Sequence, residues 1–469
     1  MQKILSQVLS SIRPSDEEVQ KELAIADELI SRFQSSAPSG CDVILTGSVA
    51  KRTFLKEGRD IDIFVLFDRS YPREMLEMLI KNVMESSLPG TGYQISYAEH
   101  PYVRFHYRGR RIDLVPAYKI SDSSERLSAV DRSALHTIFV NSHLPKQHIG
   151  DVLLLKAFLK ANSLYGAEIK IKGFSGYLCE LLIIRYGSFP QLVRQASRWD
   201  EKKPIFIDVK GYHTGKQAIS DAHERLGGFA VIDPTDKNRN VAAALSRENL
   251  KVFIALCKSF LKKPSAVFFT RKPETFDEKS KRLASAKGAK VFIITMPRSD
   301  VVDDILWGQL YRLNSQLEAH MEDFSPKAIA ADDSRHIVRI ALSLSKDTLP
   351  KDMAIEGPPL DMKKNVADFQ KKHRGARFFK QKKRLMARVK RPITGAHDAI
   401  MGFFRQFGRT KSHLACSEEL VVVERYMGKR NEGKAEIKKS EAKTKTKMKT
   451  KSESKKKIIK KRRTRKGKK

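Results

Sequence analysis

Long apolar runs are missing from this sequence. No stretch reaches the roughly 18 residues that a membrane-spanning helix needs, so a spanning segment is excluded. Cysteine is scarce: Cys41, Cys179, Cys257 and Cys416 lie far apart, with neither the paired spacing of a metal site nor a disulfide framework. A reducing, intracellular setting follows. The opening residues, Met1-Gln-Lys-Ile-Leu-Ser-Gln, lack the apolar block and small-residue cleavage site of a secretory signal, so a cytoplasmic protein is expected. No internal repeat is visible. Acidic residues are also in short supply, 54 against 90 Lys and Arg, which leaves a net charge of +36.

That surplus is not confined to one end. From Lys429 onward the chain carries 21 Lys/Arg against 4 Glu, yet residues 1–428 still hold +19. A polyanion is the natural partner. Nucleic acid is favoured over a membrane surface because no amphipathic anchor is evident; charge kept only for solubility is the bland alternative. Residues 429–469 cannot bury a core and are expected to be disordered. Their expected role is to raise non-specific RNA affinity, a nuclear-import signal being the other reading. At 469 residues the chain is long enough for two or three domains.

Residues 46–62, Thr-Gly-Ser-Val-Ala-Lys-Arg-Thr-Phe-Leu-Lys-Glu-Gly-Arg-Asp-Ile-Asp, organise the rest. Residues 41–46 read as a short strand ending at Gly47-Ser48, where small residues let backbone N–H groups approach an anion. A short helix after them would favour a phosphate at its N-terminus. Asp60-Ile-Asp62 opens a second strand, residues 60–67, in which alternate side chains share a face. Two carboxylates side by side are costly unless a cation lies between them, and hard ions such as Mg²⁺ take oxygen ligands. A hairpin whose exposed face carries two acids is the competing reading. The Gly-Ser pair at this spacing weighs against it, because Gly-Ser followed by Asp-x-Asp resembles the signature of the DNA polymerase β-like nucleotidyltransferases.

Further along, residues 14–34 read as a helix with a capping start, and 71–86 as another. Strands 102–107 and 111–116 are joined at Arg108-Gly109-Arg110. Alternation puts Arg111, Asp113 and Val115 on one face of the second strand and Ile112 and Leu114 on the other. Polymerase β-like enzymes require a third acid on a neighbouring strand, and Asp113 is the residue that the resemblance assigns to it. Helices are expected over 131–141, 149–163 and from about 172 to 187. Lys156 and Lys160 are four apart, a spacing that by itself usually marks a solvated face. His136 alone would more often be a core or surface histidine than a ligand. Residues 229–245 read as a strand, a polar turn and a helix, which would put Lys237, Arg239 and Asn240 at a helix N-terminus, a phosphate or base contact; Arg239 as plain surface charge is the alternative.

Taken together, Gly-Ser…Asp-x-Asp, Ser-Ala-Leu-His-Thr, Leu-Leu-Lys-Ala-Phe-Leu-Lys-Ala-Asn-Ser-Leu-Tyr-Gly-Ala-Glu, Gly-Phe-Ser-Gly-Tyr-Leu and Asp-Pro-Thr-Asp-Lys-Asn-Arg-Asn-Val-Ala resemble the class I, archaeal-type tRNA CCA-adding enzymes, over roughly residues 1–427. The resemblance implies a template-independent enzyme that builds or repairs the 3′-terminal CCA of tRNA from CTP and ATP with two Mg²⁺ ions. By position it assigns metal binding and catalysis to Asp60, Asp62 and Asp113, and nucleotide contacts to Ser48, Lys51, His136, Lys156 and Tyr165. Arg239 falls where the base is read together with tRNA phosphates, although the longer 210–228 connection loosens that match. The implied fold is α+β and multidomain: a polymerase β-like head of mixed sheet and helices over 1–145, a mainly helical central domain over 146–262, and an α+β RNA-binding body and tail over 263–428.

In that last part, 265–270 and 290–295 read as strands, and Val302–Phe324 as an amphipathic helix with Trp307, Leu310, Leu313 and Leu317. Residues 371–391 interleave bases with aromatics, as expected where a protein tracks an RNA backbone; a basic surface over buried Phe is the plainer reading. The family would use this region to hold the acceptor stem and TΨC arm of tRNA, and a homodimer is left open. A poly(A) polymerase or terminal uridylyltransferase on the same head is the sister reading. A non-catalytic RNA-binding protein with a decayed site is the rival from another class, and the presence of all three acids argues against decay.

Overall fold

The computed structural model describes residues 1–97, 101–407, 414 and 421–426. The disorder expected of 429–469 concerns residues outside that set. Two compact units, Met1–Pro273 and Glu274–Lys469, divide the chain.

The first unit opens with α1 (Gln2–Ile12), which sequence periodicity did not single out, and α2 (Asp16–Ser36). The start of α2 is fixed by a reciprocal cap: Glu18 N–H donates to Ser15 Oγ at 3.1 Å, and Ser15 N–H donates to the Glu18 carboxylate at 2.9 Å. Such caps contribute about 1 kcal/mol. Next come β1 (Asp42–Thr46), α3 (Gly47–Ala50), β2 (Ile61–Phe67), α4 (Leu76–Ser87), β3 (Tyr93–Tyr97), β4 (Pro101–Tyr107) and β5 (Arg110–Tyr118). The strands form one mixed sheet in the order β1-β2-β5-β4-β3, and only the β2/β5 pair is parallel. Alternation then divides the sheet's faces. Ile61, Ile63, Val65 and Phe67 join Ile112 and Leu114 in a core closed by Ile25, Leu29 and Phe33 of α2 and Ile80 and Met84 of α4. Each such side chain stabilises the unit by roughly 1.5–3 kcal/mol. Asp62 and Asp113 are thereby left on the opposite face.

A helical layer follows: α5 (Arg132–His143), α6 (Ile149–Ala161), α7 (Gly176–Tyr186) and α8 (Phe189–Ala196). Then come β6 (Ile205–Asp208), α9 (Lys216–Leu226), β7 (Phe229–Asp233), β8 (Asp236–Asn240), α10 (Arg247–Lys262) and α11 (Val267–Thr270). Leu5 and Val8 of α1 share this layer's core with Phe158, Phe174, Phe189, Phe253 and Phe260.

Two sequence expectations need correcting here. Residues 236–240 are a strand, not a turn leading into a helix, so Lys237, Arg239 and Asn240 do not sit at a helix N-terminus. The Asn240 side chain accepts from Val231 N–H and donates to the Leu226 and Phe229 carbonyls, which locks the hairpin. Residues 267–270 are a helical turn rather than a strand, because Phe269 is drawn into the aromatic cluster of Phe158, Phe189 and Phe260.

The second unit comprises α12 (Phe276–Ser285), β9 (Lys290–Pro297), α13 (Asp303–His320), β10 (Pro326–Asp333), β11 (Ile337–Leu344), β12 (Asp352–Pro359), α14 (Lys363–Lys372), β13 (Arg377–Gln381), β14 (Arg384–Lys390), α15 (Ala396–Phe407) and β15 (Val422–Arg425). Its sheets run β10-β11-β9-β15 and β12-β14-β13. Trp307, Leu310, Leu313 and Leu317 of α13 are buried against Ile294 and Ile340, as their spacing predicts. The basic-aromatic stretch at 371–391 ends α14 and forms the β13/β14 hairpin, whose turn residues Lys382 and Lys383 both have positive φ. Phe378 and Phe379 there are only partly buried.

Candidate active site

The parallel register of β2 and β5 pairs Asp62 with Asp113, so two carboxylates from adjacent strands stand side by side on one face. Asp60 lies just before β2. Burial, then the charges of Asp113 and Asp60, push the Asp62 carboxyl up to about 7. Crowded acids of this kind are relieved by a cation, and an all-carboxylate oxygen set suits a hard divalent ion. Here the counter-charge comes from the protein. Arg104 Nε and Nη2 each donate to Asp113 at 2.7 Å, and Arg111 pairs with Asp60. Among the described residues, no group of three or more His, Cys, Asp or Glu is drawn together closely enough to hold a metal ion.

On the other side of Asp62 is the Gly-Ser turn. Thr46 pairs with Asp62 across β1 and β2, and the chain then passes into α3 through Gly47 at φ +70°. Ser48, half-buried, sits in that short helix, and Lys51 follows it.

Lys51 leads into a buried ionic cluster built on Glu180 of α7. Lys51 Nζ donates to Glu180 Oε2 at 2.6 Å, and Thr53 Oγ1 donates to Glu180 Oε1 at 2.6 Å. Lys156 Nζ donates to the Thr53 carbonyl at 2.8 Å, to Thr53 Oγ1 at 3.1 Å and to Glu180 Oε1 at 3.4 Å. Lys156 is 2% exposed while Lys160 is exposed, so the spacing of the two does not mark a solvated face. Burial lowers the pKa of Lys156. Burial alone would raise that of Glu180, but Lys51 and Lys156 beside it hold it below the ordinary carboxylate value. A Cβ on Gly176 would lie 3.2 Å from the Tyr165 hydroxyl and 3.6 Å from Lys156 Nζ, which shows the two converging at the start of α7.

A second hub is Asp233, at the end of β7 and fully buried. Its Oδ2 meets His136 Nε2 at 2.9 Å and accepts from Arg239 Nη1 at 2.8 Å. Its Oδ1 accepts from Tyr177 OH at 3.1 Å, and from Thr235 N–H at 2.9 Å and Oγ1 at 2.8 Å. Burial would raise this carboxyl, yet the hydrogen bonds from His136 and Thr235 and the charge of Arg239 hold it well below the usual range. Burial lowers the pKa of the His136 ring, against the opposing pull of Asp233. That ring stacks on Tyr177 at 4.1 Å, and Lys51 Nζ lies 5.8 Å from the Tyr177 centroid, linking the two hubs.

Of the nine residues singled out from sequence, Asp60, Asp62 and Asp113 form an acid group, and Lys51 and Lys156, with Tyr165 nearby, gather at Glu180. His136 and Arg239 meet at Asp233, and Ser48 stays in the short helix α3. Arg104, Glu180 and Asp233 were missed, although each left a signal. Counting back from the Arg108–Arg110 turn pairs Arg104 with Asp113. Glu180 is a lone acid in the apolar run of α7, and Asp233 the lone acid of an apolar strand.

Comparison with known proteins places the chain in a family. Family models match in succession: a nucleotidyltransferase domain over residues 26–136, the second domain of tRNA nucleotidyltransferase over 150–270, and the C-terminal domain of CCA-adding enzyme over 287–412. Among curated proteins, the CCA-adding enzyme of Archaeoglobus fulgidus is 33% identical over 407 residues, covering 86% of this chain and 89% of that protein. That of Methanocaldococcus jannaschii is 38% identical over 386 residues, covering 80% and 84%. A mixed sheet that sets paired acids beside a Gly-Ser turn, in a chain matched by these models, defines a nucleotidyltransferase. Within that class, the chain belongs to the archaeal-type CCA-adding enzyme family.

Proposed function

We propose that this chain builds and repairs the 3′-terminal CCA of tRNA, transferring CMP and AMP from CTP and ATP to the RNA 3′-hydroxyl with release of pyrophosphate. The side-by-side placement of Asp62 and Asp113 is the observation that carries the reading. Asp60, Asp62 and Asp113 would hold two Mg²⁺ ions, which when bound neutralise phosphate charge and lower the pKa of the attacking hydroxyl. The remaining residues position the nucleotide. Ser48 and Lys51 receive the triphosphate beside α3, and Lys156 and Tyr165 close on it from the helical layer. His136 contributes a further contact. Arg239, 32% exposed on its side chain, reaches the base and the RNA phosphates. Placement and charge neutralisation do most of the work in such transfers. The second unit, with its basic β13/β14 hairpin, holds the acceptor stem and TΨC arm.

The test uses tRNA lacking its 3′ end and one nucleotide at a time. Asp62→Ala is expected to abolish extension while tRNA binding persists; unchanged extension would sink the proposal. The wild type should stop after one A, whereas runs of A or U would favour a poly(A) polymerase or terminal uridylyltransferase.

A further inference from the structure

We infer that Asp233 is a positioning residue for nucleotide selection, its carboxylate holding Arg239 and His136 in one fixed array against the incoming base. The inference rests on the reading above that Arg239 and His136 touch the nucleotide.

Three features point to this role rather than to plain support of the fold. First, the carboxylate is shared: one oxygen, Oδ2, meets both His136 and Arg239, while Oδ1 is saturated by Tyr177 and Thr235. A fully used acceptor fixes the angles of everything it binds. Second, the β7/β8 turn has an independent anchor. Asp236 accepts from Arg132 of α5 at 3.0 Å and lies 3.4 Å from Arg126, so the turn stays on α5 without Asp233. Third, the Arg239 side chain is 32% exposed, against 13% for His136 and 0% for Asp233. A long, flexible cation at a site mouth reads a base only if its guanidinium plane is set in advance. Asp233, out of reach of solvent, does that setting. It acts through Arg239 and His136 and touches no reacting atom.

The full-length enzyme tests this by initial rates with CTP against UTP on tRNA lacking CCA, and ATP against GTP on tRNA ending in CC. Asp233→Asn is expected to lower both kcat/KM ratios by about tenfold or more, chiefly through a higher KM for the correct nucleotide, with tRNA affinity unchanged. Arg239→Ala should lower both ratios to a similar extent, and the double variant should be no worse in selection than the poorer single one, as expected of residues acting as a unit. If Arg239→Ala loses selection while Asp233→Asn keeps it, this inference alone is overturned. If Arg239→Ala itself keeps selection, the reading of Arg239 fails and the inference falls with it. Should Asp233→Asn not fold, Thr235→Val, which removes one hydrogen bond to Oδ1, is expected to lower the ratios about threefold. Unchanged ratios there would overturn the inference.

Discussion

Gly47 stands so close to Asp62 that a Cβ built on it would lie 1.9 Å from Asp62 Oδ2. The Gly-Ser turn and the strand that carries Asp62 thus meet at a point where only a hydrogen fits. Gly47 also has φ +70°, which L side chains rarely adopt. Gly47→Ala should therefore cost about 1–3 kcal/mol of stability and displace the Asp62 carboxylate. Extension is expected to fall by about 100-fold or more, since misplacement of about 1 Å is enough for that. Steady-state kinetics beside a thermal melt checks both effects, and near-normal kcat would show that the close approach is incidental.

Glu180 is bonded to two nearly buried ammonium groups, Lys51 and Lys156. Removing it strands both charges. Glu180→Ala is expected to destabilise the first unit by roughly 3–5 kcal/mol, read from urea unfolding of the full chain. A loss below about 1 kcal/mol would mean that the ammonium groups find other partners or shed their protons at little cost.

The raised Asp62 carboxyl has a pH signature in metal-free protein. Its folded pKa, about 7, exceeds the value of roughly 3.9 expected in the unfolded chain, so the folded state binds the extra proton between those limits. Asp62's contribution is therefore most favourable at acid pH and is lost as pH rises through about 7. Asp62→Asn removes that dependence. With chelator present, the variant should gain at least a few degrees in Tm over the wild type at pH 8, and little at pH 4. An equal gain at both pH values would contradict the crowding of the acids.

Much of this was open to reading in the chain itself. Asp62 and Asp113 were legible because strand alternation is rigid: an acid flanked by Ile61 and Ile63, or by Ile112 and Leu114, must leave the core. The cap at Ser15 and the apolar stripe of α13 were legible for the same reason, being local. What escaped was non-local. Lys156 and Lys160 look alike by spacing, and only the meeting of α6 with α7 and Thr53 sends one inward and leaves the other in water. Residues 236–240, Asp-Lys-Asn-Arg-Asn, have poor strand propensity; they pair with β7 because Asn240 satisfies the Val231 N–H and Phe229 carbonyl of that strand and the Leu226 carbonyl at the end of α9. Residues 265–270 carry strand-forming side chains, yet burial of Phe269 in an aromatic cluster outweighs propensity.

The central claim is that Asp60, Asp62 and Asp113 jointly ligate divalent metal in the presence of nucleotide. Crystals of the full chain soaked with Mn²⁺ and a non-hydrolysable CTP analogue test it by anomalous scattering. The account predicts two peaks within coordination distance of these carboxylates, with Asp113 released from Arg104. Peaks elsewhere, or Arg104 still paired to Asp113 with the nucleotide bound, would contradict it.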